Sequence, residues 1–127
     1  MSDVVKSENA VPPTERSPDS RVGELTDRQF EAIGRLFAVL AEPMRLKILR
    51  QLQTEAMTVG GLVTALATTQ ANVSKHLKVL HDARLVSRAR DRSFVRYAIA
   101  DPIVFDLCHL VCDKLARDGR DHPWAAG

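Results

Sequence analysis

Residues 58–81 read Thr-Val-Gly-Gly-Leu-Val-Thr-Ala-Leu-Ala-Thr-Thr-Gln-Ala-Asn-Val-Ser-Lys-His-Leu-Lys-Val-Leu-His, and this stretch decides the fold. Apolar residues recur at helical spacing on both sides of a short break at Thr68-Thr69. They are Leu62, Val63 and Leu66 before the break, and Val73, Leu77 and Leu80 after it. The Thr69 hydroxyl is expected to cap the second helix, because it can accept a hydrogen bond from a free N–H group there. Two short helices with a tight break predict a helix-turn-helix.

The second of these helices, residues 69–82, has a polar face, and we call it the recognition helix. With the cap Thr69, that face holds Gln70, Asn72, Ser74, Lys75 and Lys78. Amide side chains make bidentate contacts to adenine in the major groove, and hydroxyl and ammonium groups bind phosphate. The composition therefore predicts DNA binding, although a solvated helix face without any ligand would show the same pattern.

After the recognition helix the apolar period changes from that of a helix to that of a strand. Residues 85–90 and 94–99 predict two strands joined by a turn at 91–93, and a hairpin in this place is a wing. One face is expected to pack on the helices while arginines project from the other face and from the tip. These arginines are Arg88, Arg90, Arg92 and Arg96. They predict contacts to phosphates or to a minor groove, or else protection of an edge strand against aggregation.

Two helical patterns near the ends of the chain have more apolar positions than one neighbour can cover. The first begins at Thr26-Asp27 and carries Phe30, Ile33, Leu36, Phe37 and Leu40; the last begins at Asp101-Pro102 and carries Ile103, Val104, Leu107, Cys108, Leu110, Val111, Cys112 and Leu115. A second copy of the chain would cover both faces and would place two recognition helices about one DNA turn apart. We therefore expect a homodimer joined through the first and last helices.

A further helix precedes the helix-turn-helix, with Pro43 near its first turn, where the missing N–H is harmless. Its apolar residues, Leu46 among them, are expected to face inward, while Arg45, Lys47 and Arg50 stay in water. The predicted fold class is thus mainly α with a small β-hairpin, an α+β winged helix-turn-helix.

The chain of 127 residues has room for one domain, and with aromatic residues at only 5% its core must be mostly aliphatic. We assign that domain to residues 25–117. Residues 1–24 contain prolines among polar residues and predict a disordered arm, and residues 118–127 predict a flexible tail. No apolar run approaches the roughly 18 residues of a membrane span, and residues 1–21 show no signal peptide. We expect a cytoplasmic protein without membrane contact.

Positive charge is concentrated in the middle of the chain. Residues 25–100 carry 12 basic and 6 acidic side chains, whereas residues 1–24 and 101–127 each carry 3 basic and 5 acidic ones. A basic surface beside a helix-turn-helix supplies the sequence-independent attraction to phosphates that dominates DNA affinity.

The order of the elements and two of their motifs resemble the ArsR/SmtB family of bacterial winged-helix repressors over about residues 26–117. The motifs are Leu-Ala-Glu-Pro-Met-Arg-Leu-Lys-Ile-Leu at 40–49 and Gln-Ala-Asn-Val-Ser-Lys-His-Leu-Lys-Val-Leu at 70–80. The resemblance implies a homodimer that binds a palindromic double-stranded DNA operator and releases it when an inducer binds.

The resemblance also implies site residues. It places Gln70, Asn72, Ser74, Lys75 and His76 in the DNA-facing part of the recognition helix, and Arg90, Arg92 and Arg96 in the wing. His76 has an equal alternative, which is a hydrogen bond inside the domain. The family usually has Gly where Arg84 stands and often where Arg92 stands, so this chain departs from the pattern at the helix exit and at the hairpin turn.

The family resemblance implies a sensor but does not name its ligand. Residues 57–62 contain no Cys or His, and the last helix lacks the second ligand pair of the family's zinc site. Cys108 and Cys112 remain, at i and i+4 on one helix, with His109 beside them. Thiolates at this spacing can chelate a soft metal or metalloid ion, or can be oxidised or persulfidated. Both cysteines can instead be small core residues, since free cysteine is among the most buried residue types, and this would leave the protein without any cofactor.

Two other classes of function compete with a DNA-binding repressor. An enzyme is not indicated, because we find no nucleophile with a base and an orienting group, and no Gly-rich phosphate loop. A winged-helix module that binds a protein instead of DNA is the other alternative, and the arginine-rich wing favours phosphate over a protein groove.

Overall fold

The computed structural model describes residues 23–119, so the predicted arm at residues 1–24 and tail at residues 118–127 lie almost entirely outside the described part. The backbone divides into two compact units after Arg35. Among residues 23–119, no helix has both the length and the apolar composition needed to cross a membrane.

The first unit contains the start of helix α1 (Asp27–Leu40). Thr26 and Gln29 form a capping box at this start. The N–H of Gln29 donates to Thr26 Oγ1 at 3.2 Å, and the N–H of Thr26 donates to Gln29 Oε1 at 2.7 Å. The reciprocal bonds satisfy N–H groups that a helix start leaves free, and they confirm the predicted beginning of the helix.

The second unit begins at Leu36 and holds the end of α1 and all later elements. These are α2 (Pro43–Thr54), β1 (Met57–Thr58), α3 (Val59–Leu66), α4 (Gln70–Asp82), β2 (Val86–Asp91), β3 (Phe94–Ile99) and α5 (Ile103–Asp118). Helix α4 is the recognition helix, and β2 and β3 form the wing. The predicted fold class is confirmed, since the described residues form five helices and a small antiparallel sheet.

Helices α2, α3 and α4 begin after residues whose side chains accept a hydrogen bond from a free N–H group of the first turn. Pro43 opens α2, and Glu42 Oε1 accepts a hydrogen bond from the N–H of Met44 at 2.7 Å. Thr58 Oγ1 accepts from the N–H of Gly61 at the start of α3, at 3.0 Å. The residues that cap these helix starts are therefore local in the sequence.

The sheet has three strands in the order β1-β3-β2, one more than the sequence predicted. Met57 lies opposite Tyr97, so β1 pairs with β3 antiparallel, and Val86 lies opposite Ile99 on the other side. A strand of only two residues shows no alternation that sequence analysis could detect. Its pairing ties the wing to the residues just before α3.

The core is aliphatic, as the composition predicts. Its buried residues are Ile48, Leu49, Leu52, Leu62, Val73, Leu77, Leu80, Leu85, Val86 and Val104. Helices α2, α3 and α4 supply most of them, and α5 supplies only Val104. Leu46 was predicted to face inward and is instead 37% exposed, because it lies on the side of α2 away from this cluster.

Candidate nucleic-acid interface

The turn between α3 and α4 fixes the start of the recognition helix. Helix α3 ends at Leu66, and Ala67 adopts a left-handed conformation at φ 53°. The hydroxyl Oγ1 of Thr69 accepts a hydrogen bond from the N–H of Asn72 at 3.1 Å, which confirms Thr69 as the cap. The side-chain amide of Asn72 reaches back across the turn, where its Nδ2 donates to Thr68 Oγ1 at 3.0 Å.

The exposed face of the recognition helix holds four of the six residues of this helix, its cap included, that were predicted to contact DNA. Thr69, Gln70, Ser74 and Lys75 are exposed, together with Lys78, while Val73 and Leu77 on the other side are buried. Asn72 is half-buried and donates one amide N–H to Thr68, so its second amide N–H and its carbonyl oxygen are left to meet a base. The face therefore offers amide, hydroxyl and ammonium groups in adjoining turns.

His76 lies in the core and not on the exposed face. Only 5% of it is exposed, and its Nδ1 lies 3.2 Å from Nη1 of Arg45 on α2. Burial is the main cause that lowers the pKa of His76; Lys75 and Arg45 lower it further, and Glu42 opposes them. Of the two roles considered for this residue, the hydrogen bond inside the domain is the one in the structure.

Arg45 was predicted to stay in water, which is wrong. It is half-buried, and besides His76 it contacts the end of α1, where its Nε donates to the carbonyl oxygen of Val39 at 2.7 Å. Sequence periodicity places Arg45 on the polar side of α2, but periodicity does not show that a buried acceptor on another helix lies within reach.

The wing arginines lie on both faces of the hairpin. Arg88 pairs with Tyr97 and Arg90 with Val95, so both arginines share the face of these apolar residues. Arg96 lies on the opposite face, where its Nε donates to Asp91 Oδ2 at 3.1 Å. The prediction that arginines project from the face opposite the apolar one and from the tip is therefore wrong for Arg88 and Arg90, which are in register with the apolar residues of β3.

The tip of the wing is a two-residue turn, Arg92-Ser93, between the paired residues Asp91 and Phe94. Arg92 is exposed and adopts φ 63°. A two-residue hairpin loop needs positive φ at its first central position, and glycine usually fills it. The turn geometry thus keeps its ordinary form although arginine stands at the tip.

The two cysteines lie along an apolar groove on the side of α5. The groove, of about 340 Å³, is lined by Phe37, Leu40, Ala41, Leu46, Leu107, Cys108, Val111, Cys112 and Leu115. Cys108 is half-buried and Cys112 is exposed. Burial, and then the charge of Cys112, raise the pKa of the Cys108 thiol. His109 is exposed and does not line the groove.

Within the part of the chain that the structure describes, the cysteines belong to no metal-ligand cluster. Across residues 23–119, no group of three or more Cys, His, Asp or Glu side chains is arranged to hold a metal ion. The two thiols could supply two ligands to an ion. An ion that requires four ligands would therefore need the other two from elsewhere.

A short helix, a capped turn, a second helix with an exposed polar face and a hairpin bearing arginines make a winged helix-turn-helix, a class of DNA-binding domain. A family model described as "Bacterial regulatory protein, arsR family" matches residues 42–88, which run from the cap of α2 into the wing.

Relatives with known names support the same family. The HTH-type transcriptional repressor SmtB of Mycobacterium tuberculosis is 39% identical over 92 residues, covering 72% of this chain and 66% of that protein. The probable mercury resistance operon repressor of Streptomyces lividans is 38% identical over 80 residues, covering 63% and 64%. The chain thus matches just under two thirds of the length of each repressor.

A solved structure extends the agreement to three dimensions. Rv0081 of M. tuberculosis superposes with a TM-score of 0.66 at 30% identity, covering 72% of this chain and 93% of that one. The chain belongs to the ArsR family of bacterial regulatory proteins. Its named relatives are transcriptional regulators, a family that is not enzymatic.

Proposed function

We propose that this protein is a cytoplasmic, dimeric transcriptional repressor that binds a palindromic DNA operator and releases it when an inducer binds. The observation that carries the proposal is the exposed polar face of α4, whose opposite face is locked into the core by Val73, Leu77 and Leu80. A helix held in this way presents Gln70, Ser74 and Lys75 in a fixed order to a groove.

Base reading and phosphate binding are divided between the recognition helix and the wing in this proposal. Gln70 lies in the first turn of α4, and the N-terminal residues of a recognition helix contact base edges. Arg92 lies at the exposed tip of the wing, where a guanidinium can reach phosphate or a minor groove. Arg88 and Arg90, exposed along β2, add positive charge beside it.

The dimer is supported by apolar side chains that the described chain leaves in water. Leu110 is 66% exposed and Val111 54% exposed on α5, and Phe37 is 56% exposed near the end of α1. Contiguous apolar surface of this kind marks an interface. A second copy related by a two-fold axis would cover it and would pair the two recognition helices.

For the inducer we propose a soft, thiophilic cation or metalloid bound by Cys108 and Cys112. Thiolates select soft metals, and two thiols without a third clustered ligand suit an ion of low coordination number better than a tetrahedral zinc. One relative is a probable mercury resistance operon repressor, which agrees with this ligand class. His109 is exposed on the same helix but does not line the groove, so this proposal assigns it no part in binding the ion.

The test of DNA binding compares two alanine variants on two DNA duplexes. A duplex selected by the wild-type protein from a random library serves as the specific site, and a random duplex of equal length as the reference. Gln70→Ala is expected to cost about 1 to 3 kcal/mol on the selected duplex and little on the reference, whereas Arg92→Ala weakens both and flattens the salt dependence.

The same experiment separates DNA binding from the alternative of a protein-binding module. A module that binds protein would select no duplex and would show no salt-dependent affinity for the reference. Equal losses on both duplexes for Gln70→Ala would remove Gln70 from the residues that read bases.

A further inference from the structure

The side chain of Arg45 joins three helices of the second unit. Its Nε donates to the carbonyl oxygen of Val39 at 2.7 Å, and its Nη2 donates to that of Ala38 at 3.4 Å. Both carbonyls belong to the last turn of α1, where a helix leaves its oxygen atoms without intrahelical partners. A cation at this place also interacts favourably with the helix dipole. Arg45 therefore fixes the end of α1 to the start of α2.

The third contact of Arg45 reaches the recognition helix. Nη1 of Arg45 lies 3.2 Å from Nδ1 of His76. A guanidinium can only donate hydrogen bonds, so Nδ1 must be the acceptor and the ring proton must be on Nε2. The contact thus requires His76 in its neutral form with one particular tautomer.

His76 is well placed to transmit a change to the DNA-facing side of the helix. It is the buried polar side chain of the described core, next to the fully buried Leu77, while its other neighbour in the chain is the exposed Lys75. Displacement of a ring packed in the core disturbs the turn of helix that carries it, and this turn also presents Lys75 and Ser74. The position and tilt of Lys75 and Ser74 therefore depend on the contact that holds His76.

The charges around His76 determine what protonation would do. The Glu42 carboxylate favours the protonated ring, whereas burial, Lys75 and Arg45 disfavour it, so that the pKa of His76 is lowered. A protonated ring would have no lone pair for Arg45 and would put two cations 3.2 Å apart in the core. The contact is then lost and the ring or the helix must move.

We propose that Arg45 is a positioning residue that holds the recognition helix in its DNA-binding orientation through neutral His76, and that protonation of His76 releases this hold. The proposal rests on the proposed function, since it assigns a control of DNA binding. Control through His76 differs from control through the thiol site on α5, because it requires no ligand other than a proton.

The contact itself is tested without DNA. In the full-length, isotope-labelled protein, the ring of His76 is titrated by NMR. His76 is expected to titrate below the ordinary pKa of histidine, with the Nε2–H tautomer throughout the neutral range. In Arg45→Met the pKa of His76 is expected to rise, because the neighbouring cation is removed. Unchanged titration of His76 in Arg45→Met would overturn the proposal.

The consequence for DNA is tested on the selected and random duplexes at about pH 7.5 and at mildly acidic pH. The wild-type preference for the selected duplex is expected to fall roughly tenfold on acidification, the scale of losing one buried polar contact. His76→Asn places an amide oxygen near the former Nδ1 position and does not titrate, so it should keep its preference. His81→Asn, on the same helix, is the matched control and should lose preference as the wild type does.

The outcomes separate this proposal from the proposed function. Two results would overturn the role of Arg45 and His76 without affecting the proposed function. One is a wild-type protein that keeps its full preference for the selected duplex at acidic pH. The other is a His76→Asn variant that loses this preference in parallel with the wild type. A protein that prefers no duplex at any pH overturns the proposed function, whatever the NMR titration shows. If Arg45→Met fails to fold, Arg45→Lys, which retains the charge, takes its place in the NMR titration. His76→Asn still tests the effect on DNA preference.

Discussion

The backbone N–H of Leu85 donates to the carbonyl oxygen of Leu80 at 3.0 Å and so closes the recognition helix. The N–H of Arg84 donates to the carbonyl oxygen of His81 at 3.0 Å, which completes a Schellman motif. Arg84 occupies the left-handed position of this motif, at φ 63°, where glycine is usual. The chain therefore leaves the recognition helix through a strained residue and enters the wing directly afterwards.

Replacement of Arg84 by glycine is expected to stabilise the protein. A side chain in the left-handed region costs about 1 to 2 kcal/mol, and the extra chain entropy of glycine offsets about 0.5 to 1 kcal/mol of the gain. The net effect should be about 0.5 to 1 kcal/mol, measured by urea unfolding at fixed protein concentration. Arg84→Ala removes the same charge but keeps the strain, so it should give no comparable gain.

Asp91 limits the positive charge that the wing can offer to DNA. Its carboxylate pairs with Arg96 on the exposed face of the hairpin. Asp91→Asn should therefore raise affinity for random DNA and steepen the slope of log K against log salt by at most about 0.9, the value of one phosphate contact. Asp106→Asn removes the same charge from α5 and should leave the slope unchanged. An unaltered slope for Asp91→Asn would exclude Arg96 from phosphate binding.

The proposed dimer predicts that a charge on α5 separates the two copies. Leu110→Asp places a carboxylate in the exposed apolar surface and should shift the protein to monomer in sedimentation experiments at micromolar concentration. Phe94→Asp is the control, because Phe94 is 60% exposed on the wing, outside that surface. Equal dissociation by both variants, or by neither, would contradict an interface on α5.

The thiol pair predicts release of DNA by a soft ion. Hg²⁺ or arsenite should release the selected duplex from the wild-type protein, Zn²⁺ should not, and Cys112→Ser should remain bound in all three solutions. Because metal ions bind thiolates and the pKa of Cys108 is raised, the ion affinity should increase with pH. If the same ion also releases the selected duplex from Cys112→Ser, the sensor does not lie in this groove.

His76 predicts a specific dependence of stability on pH. Because its pKa is lowered in the folded state, the unfolded chain binds more protons in the pH range between the folded pKa and the ordinary pKa of histidine. Its contribution to the free energy of unfolding is therefore complete above the ordinary pKa and is lost as the pH falls through the lowered one. Urea unfolding of His76→Asn, compared with His81→Asn, should show a weaker loss of stability in acid.

The local structure of this protein follows from short-range patterns in its sequence. Helical spacing of Leu62, Val73, Leu77 and Leu80, hydroxyl caps such as Thr69, and the change of period at the wing depend only on neighbours in the chain. The resulting fold class and the family followed from these signals, and so did the exposed positions of Gln70, Ser74 and Lys75.

Which polar residues meet across the fold depends on tertiary structure. His76 lies three residues after Val73 and four before Leu80, so helical register places it on the buried face, but only the fold brings a donor from Arg45, 31 residues away in the chain, to its ring. Strand β1 formed because Met57 could pair with Tyr97, and pairing register set Arg88 and Arg96 on opposite faces of the wing. A helical or strand period assigns a residue to a face, but the burial of that face and its hydrogen-bond partners depend on distant segments of the chain.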